Sequence, residues 1–280
     1  MKKIELVKGI ESTVLGFGCA PILGSEGAKK SIRAISCAID CGINHFDIAR
    51  SYGYGSAEQF LGKAIQSKRK EVIIASKFGI KANLKAKILS PLKPILRYSL
   101  SMLPKKNTEN QVSSQKSLTV ADRFHYRISL NSFEMKNSLE ESLRALKTDY
   151  LDYFFIHEPL GTIENIDDLF NLSYKLKQQG KIRGFGIAFY YNQKNLHEKY
   201  LKEFDILQFN NSPKKDEYIE NVNQRGLMPN IIFSPLKGGG DDLKTPRAKL
   251  EKIAYDFPKS VILCSMFNEN HIKNNSLIFS

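Results

Sequence analysis

Four polar side chains in this sequence sit where a strand gives way to a turn. Asp47 lies near the end of INHFDIA (43–49), Lys77 near the end of VIIASKFG (72–79), and His157 ends YLDYFFIH (150–157). Tyr52 follows Asp47 by five residues, in the small-residue turn SYGYGS. Singly, each has an ordinary explanation. Asp47 would cap a turn, Tyr52 would pack over a rim, Lys77 would face solvent, and His157 would be a satisfied buried histidine. Jointly they form a chemical set. A free phenol has a pKa of about 10, so it needs help to move a proton at neutral pH. A neighbouring ammonium favours the phenolate and lowers that pKa, and a carboxylate holds the ammonium in place. Asp47 and Lys77 are expected to supply this pair, Tyr52 the proton, and a neutral His157 the group that orients and polarises a carbonyl oxygen. Such a set protonates a carbonyl oxygen while a hydride arrives at carbon, and no side chain supplies the hydride. A nicotinamide cofactor is therefore implied.

These residues must be held by a repeating scaffold. Continuous apolar runs recur at 14–18, 43–49, 72–79, 150–157, 182–188, 206–210, 231–236 and 261–266, as expected for parallel strands buried on both faces. Between them, residues 27–42, 56–68, 132–147 and 166–180 carry apolar side chains at helical spacing. Ser56 and Ser132 are expected as N-caps, and Gly42 and Gly180 as C-terminal stops. Eight strands alternating with helices predict a (β/α)₈ barrel, a TIM barrel, forming a single domain over 1–280. The rival is a doubly wound open sheet, and it is weakened because no GxGxxG follows the first strand. In a barrel, catalytic groups gather at the C-terminal ends of strands, where Asp47, Lys77 and His157 fall.

The sequence here resembles the aldo-keto reductase family. FDIARSYGYGSAEQFLGKAI resembles its strand-two signature, IIASKFG its strand-three lysine motif, and LDYFFIHEP its strand-four D-x-x-x-x-H-x-P motif. GKIRGFGIA, ILQFN, FSPLKGG and VILCSMFNENHIKNN resemble the later segments. The resemblance implies NADPH-dependent reduction of an aldehyde or ketone, with a tetrad at Asp47, Tyr52, Lys77 and His157. It implies cofactor binding by Asp47, by Gln208 at the carboxamide, by Phe233 against the ring, by Ser234 and Leu236 along the pyrophosphate, and by Asn275 near the adenine. The chain departs from the pattern in four ways. Ala188 and Phe189 stand where a Ser-Asn pair is usual, and His271 and Asn274 replace an arginine and an acidic residue, which leaves NADH beside NADPH as a reading. No tryptophan is present, and the interval from Lys77 to His157 is long. A cofactor-binding barrel serving as a redox sensor or interaction subunit is the alternative to an enzyme.

The long interval contains a basic segment at about 80–130. Ten lysines and arginines face two acidic residues between 81 and 130, so this stretch carries +8 of the net +13. Its first half mixes Leu and Ile with Lys and Arg around Pro91 and Pro94, and its second half reads as a polar link. The expectations for it are a lid that draws in a substrate bearing a phosphate or carboxylate, a peripheral membrane or protein contact, or a solvated insertion. No nucleic-acid partner is expected. The N-terminal lysines have no apolar run behind them, and Cys19, Cys37, Cys41 and Cys264 follow no metal-ligand spacing. Reduced thiols in a cytoplasmic protein are expected, without a metal.

Overall fold

The computed structural model describes residues 1–83, 124–213, 217–238 and 243–280. Most of the basic segment lies outside the described residues, and so do Pro91 and Pro94.

Eight strands close into a parallel barrel: β3 (Leu15–Gly18), β4 (His45–Asp47), β5 (Ile73–Phe78), β8 (Leu151–His157), β9 (Ile182–Phe189), β10 (Ile206–Asn210), β11 (Asn230–Phe233) and β12 (Ser260–Cys264). Each pairs with the next along this series, and β12 returns to β3. All eight coincide with the apolar runs of the sequence, and the barrel is the expected one. The open-sheet alternative is excluded by the β12–β3 closure. The covering helices are α1 (Ala28–Asp40), α2 (Ala57–Ile65), α3 (Ser132–Leu146), α4 (Ile166–Gln178), α5 (Tyr218–Arg225), α6 (Pro246–Asp256) and α7 (Glu269–Ser276). Gly42 and Gly180 take φ of 81° and 69° just beyond α1 and α4, as helix stops do.

Of the two expected N-caps, Ser56 holds the N-cap position of α2 and Ser132 does not hold that of α3. The N-cap of α3 is Asn131, whose side chain accepts from the Glu134 amide, and Ser132 is the first helical residue. Asn and Ser cap about equally well, so the adjacent pair was ambiguous. Ser56 precedes α2, but its side chain makes no capping hydrogen bond.

The period of two along each strand divides the core into two layers. Ile74 and Phe78 face the helices, while Ile73 and Ala75 face the barrel axis with Tyr153, Phe155, Ala188, Ile206, Ile231, Val261 and Leu263. This alternation turns Lys77, two residues beyond Ala75, into the barrel. A substituent on Gly186 would collide with the Phe155 ring, so a glycine there lets that ring fill the axis.

Two hairpins were not foreseen. At the N-terminal end of the barrel, β1 (Lys3–Val7) pairs with β2 (Ile10–Thr13), and the Arg183 guanidinium donates to Gly9 O at 2.6 Å. On the opposite face, β6 (Ile80–Ala82) pairs with β7 (His125–Arg127), bringing the two described ends of the basic segment together. Among the described residues no helix is long and apolar enough to cross a membrane.

Candidate active site

Strand register sets the positions. Asp47 at the end of β4 pairs with Gly18, His157 at the end of β8 pairs with Ala188, and Ala188 pairs with Gln208. Lys77 Nζ, fully enclosed, donates to Asp47 Oδ1 at 2.5 Å and to Ile48 O at 3.1 Å. The other Asp47 oxygen accepts from Gln208 Nε2 at 2.9 Å. A charge pair this buried persists only with further hydrogen bonds around it, and here Ile48 O and Gln208 supply them.

Tyr52 starts a tight 3₁₀ turn, Tyr52–Gly55, in which Gly53, Tyr54 and Gly55 all have positive φ of 56°, 58° and 85°. Two of the three are glycine, the residue that bears this conformation most easily, and a substituent on Gly53 would meet Ile22 O at 2.6 Å. The β6–β7 hairpin supports the turn from outside. His125 Nε2 donates to Ser51 O at 2.9 Å, and the Tyr54 ring rests against Phe124 and His125 at 5.4 and 6.3 Å between centroids. Behind the turn, Arg50 bridges Glu58 and Glu141 at 2.5 and 2.9 Å, and Ser76 Oγ donates to Glu58 at 2.6 Å.

The result is a convergence. The Tyr52 ring meets the His157 ring edge-on at 5.9 Å, and Lys77 Nζ lies 5.4 Å from the Tyr52 centroid. Burial, helped by Lys77, Arg127 and His125, holds the His157 pKa well below 6.5, so the ring is neutral, as expected. Tyr52 differs from expectation: its pKa is raised well above 10, by burial first and then by Asp47 and Glu158. Burial is the largest of these causes, so the phenol keeps its proton. Cys19, packed beneath Asp47, has its thiol pushed up by burial and is inert.

One cavity of about 790 Å³ opens from this point along the C-terminal face. Asp47, Tyr52, Lys77, His157, Gln208, Phe233, Ser234, Leu236 and Asn275, every site residue expected from the sequence, line it. Gln208 Oε1 is buried and has no partner among the described residues, so an acceptor faces the cavity beside the Asp47–Lys77 pair. Phe233 presents an aromatic face whose partner is the Tyr190 ring, edge-on at 5.6 Å. Ser234 has a φ of 57°, and the loop after it is pinned by Ser212 Oγ, which donates to Pro235 O and accepts from the Gly238 amide, both at 2.7 Å. Asn275 donates to Met266 Sδ at 3.2 Å. An unpartnered amide oxygen, an aromatic wall and a pinned loop in line suit a nicotinamide with a pyrophosphate tail. His271 and Asn274 line the far end, with Ser265 and Met266 between them and the barrel.

Sequence reasoning passed over Glu158, which lines the same cavity although His157 beside it was singled out. Its φ of 46° turns it out of the strand alternation that would have faced it away from the axis. Tyr190 and Lys237 were also passed over.

Similar proteins agree with this fold. The aldo/keto reductase family model matches residues 15–240. The uncharacterized oxidoreductase YqkF of Bacillus subtilis (strain 168) is 29% identical over 74% of this chain and 54% of its own length. The aldo-keto reductase YhdN of the same strain is 27% identical over 87% of this chain and 68% of its own. The chain thus spans about half to two thirds of these curated relatives. An aldo-keto reductase from Klebsiella pneumoniae, solved in complex with NADPH, superimposes with a TM-score of 0.67 at 18% identity, covering 99% of this chain and 89% of the other. With the barrel, the strand-end residues and a family match over most of its length, the chain belongs to the aldo/keto reductase family.

Proposed function

We propose that this protein reduces an aldehyde or ketone with NADPH or NADH, with Tyr52 as the proton donor. The observation that carries the reading is the convergence of a protonated phenol, a neutral imidazole and a neutralised Lys77–Asp47 pair at one end of a cavity. A nicotinamide cofactor, when bound here, would supply the hydride for the carbonyl carbon. Gln208 Oε1 would accept from its carboxamide, Phe233 would pack on its ring, Ser234 and Leu236 would border the pyrophosphate, and Asn275 would meet the adenine end.

The remaining steps belong to the chain's own side chains. His157, uncharged, orients the carbonyl oxygen toward Tyr52. As negative charge develops on that oxygen, the Tyr52 hydroxyl passes its proton to it. Lys77, held by Asp47, stabilises the phenolate left behind. The high pKa of the unliganded phenol is consistent with an acid that holds its proton until the oxygen becomes basic. Ala188 offers no side-chain hydrogen bond to the carboxamide, so Gln208 carries that recognition.

Oxidation of NADPH and of NADH in the presence of a panel of aldehydes and sugar carbonyls tests this. Turnover of at least one carbonyl is expected. Tight cofactor binding with no turnover of any member would replace the enzyme by a sensor or interaction subunit.

A further inference from the structure

We propose that Glu158 is a specificity-determining residue, whose carboxylate accepts a hydrogen bond from a hydroxyl next to the substrate carbonyl. This selects hydroxy-aldehydes and hydroxy-ketones over their deoxy analogues, and it rests on the reductase reading above.

Glu158 follows His157, and strand alternation would carry it to the outer face of the barrel. Its left-handed φ of 46° brings it into the cavity instead. For a residue other than glycine this conformation is uncommon, and it persists only where surrounding contacts impose it. Here they do. The Glu158 amide donates to Ala188 O at 2.7 Å, and the Arg127 guanidinium donates to Glu158 O. Backbone contacts thus fix the residue from two sides, while its carboxyl group has no hydrogen-bond or ion-pair partner among the described residues. A half-buried carboxylate aimed into a substrate cavity without a partner is an acceptor awaiting a donor.

The donor's chemistry follows from the surroundings. An ionised carboxylate only accepts hydrogen bonds, and it repels a phosphate or carboxylate at this spot. An ammonium gains little, because Lys77, Arg127 and Lys237 already act on the Glu158 carboxyl and oppose the upward push of burial on its pKa. A neutral hydroxyl remains, and it forms a charge-assisted bond without bringing charge into the cavity. Glu158 directly follows His157 in the chain and lines the same cavity as Tyr52. A substrate whose carbonyl oxygen meets Tyr52 and His157 therefore has Glu158 on the wall beside it.

The test compares glycolaldehyde with acetaldehyde, and glyceraldehyde with propionaldehyde, in wild type, Glu158→Gln and Glu158→Leu. The kcat/KM ratio within each pair is the readout, because aldehyde hydration is the same for every variant and cancels. A hydrogen bond to a charged group predicts that the wild-type preference for the hydroxy member falls about tenfold to a hundredfold in Glu158→Leu. Glu158→Gln keeps an acceptor and the side-chain shape, so it should fall between the two. An unchanged ratio in both variants overturns the proposal and leaves the reductase reading intact. If Glu158→Leu fails to fold, the ratio in Glu158→Gln decides alone. Wild type that reduces other carbonyls of the wider panel but none of these four overturns this proposal alone, whereas no turnover of any carbonyl, with cofactor bound, removes the reductase reading as well.

Discussion

Lys77 shows how much one enclosed side chain settles. Its ammonium is neutralised by Asp47 at 2.5 Å and anchored by Ile48 O, so Lys77→Met leaves a buried carboxylate with only Gln208 for company. Removing one partner of such a pair costs about 3–5 kcal/mol. The variant is expected to unfold at clearly lower urea and, where folded, to lose most of its rate with cofactor affinity largely kept. Wild-type stability together with wild-type rate would contradict the assignment. The histidines set a second residue-level expectation. Burial lowers the His157 pKa well below 6.5 and that of His45 to about 3, whereas both return to about 6.5 on unfolding. Between the folded and unfolded values the unfolded chain binds more protons, so stability is complete above about pH 6.5 and falls as the pH drops below it. Each such group costs up to about 1.4 kcal/mol per pH unit in that window. Because His157 is still neutral there, acid weakens the fold before it disables the site. The urea midpoint should drop between pH 7 and 5, while kcat/KM of the folded enzyme shows no step near 6.5. A step that disappears in His157→Asn would contradict this.

At the scale of elements, the β6–β7 hairpin separates two roles within the basic segment. The Asn83 amide donates to Phe124 O at 2.9 Å, so the chain leaves and re-enters at one point. Joining 83 to 124 through a short turn closes a hairpin at little entropic cost. That deletion variant should melt cooperatively and bind cofactor. Removing 80–130 as well strips His125 from Ser51 and Arg127 from Glu158, and should reduce kcat by loosening the turn that carries Tyr52. Equal rates for the two deletions would show that the hairpin does not support the turn. The barrel strands were legible because each is a continuous apolar run, and Lys77 and His157 were legible because they end such runs. The β6–β7 hairpin was not, since its strands are three residues each and are separated by about forty others. Glu158 was hidden for a different reason. Alternation directs it outward, and only a backbone dihedral that sequence does not display turns it in. The raised Tyr52 pKa was hidden as well, because its largest cause is burial, which the turn sequence does not display.

The whole molecule carries a net charge of +13, and its cavity suits a polyanionic dinucleotide. Such a field raises the local concentration of an anion and is screened over about 10 Å at 0.1 M salt. The KM for NADPH should therefore rise with ionic strength, more steeply than that for an uncharged aldehyde, and parallel salt dependences would count against steering. The deeper claim is that one cavity combines cofactor binding with proton donation by a single phenol. Tyr52→Phe separates the two, since it deletes one hydroxyl that has no hydrogen-bond partner among the described residues and leaves the Lys77–Asp47 pair in place. An interaction made only in the transition state lowers kcat and kcat/KM together. With cofactor affinity read by fluorescence titration and turnover by nicotinamide oxidation, the account predicts a rate loss of about 10²-fold or more with affinity within a few-fold of wild type. A Tyr52→Phe protein that keeps most of its carbonyl-dependent oxidation rate would contradict it.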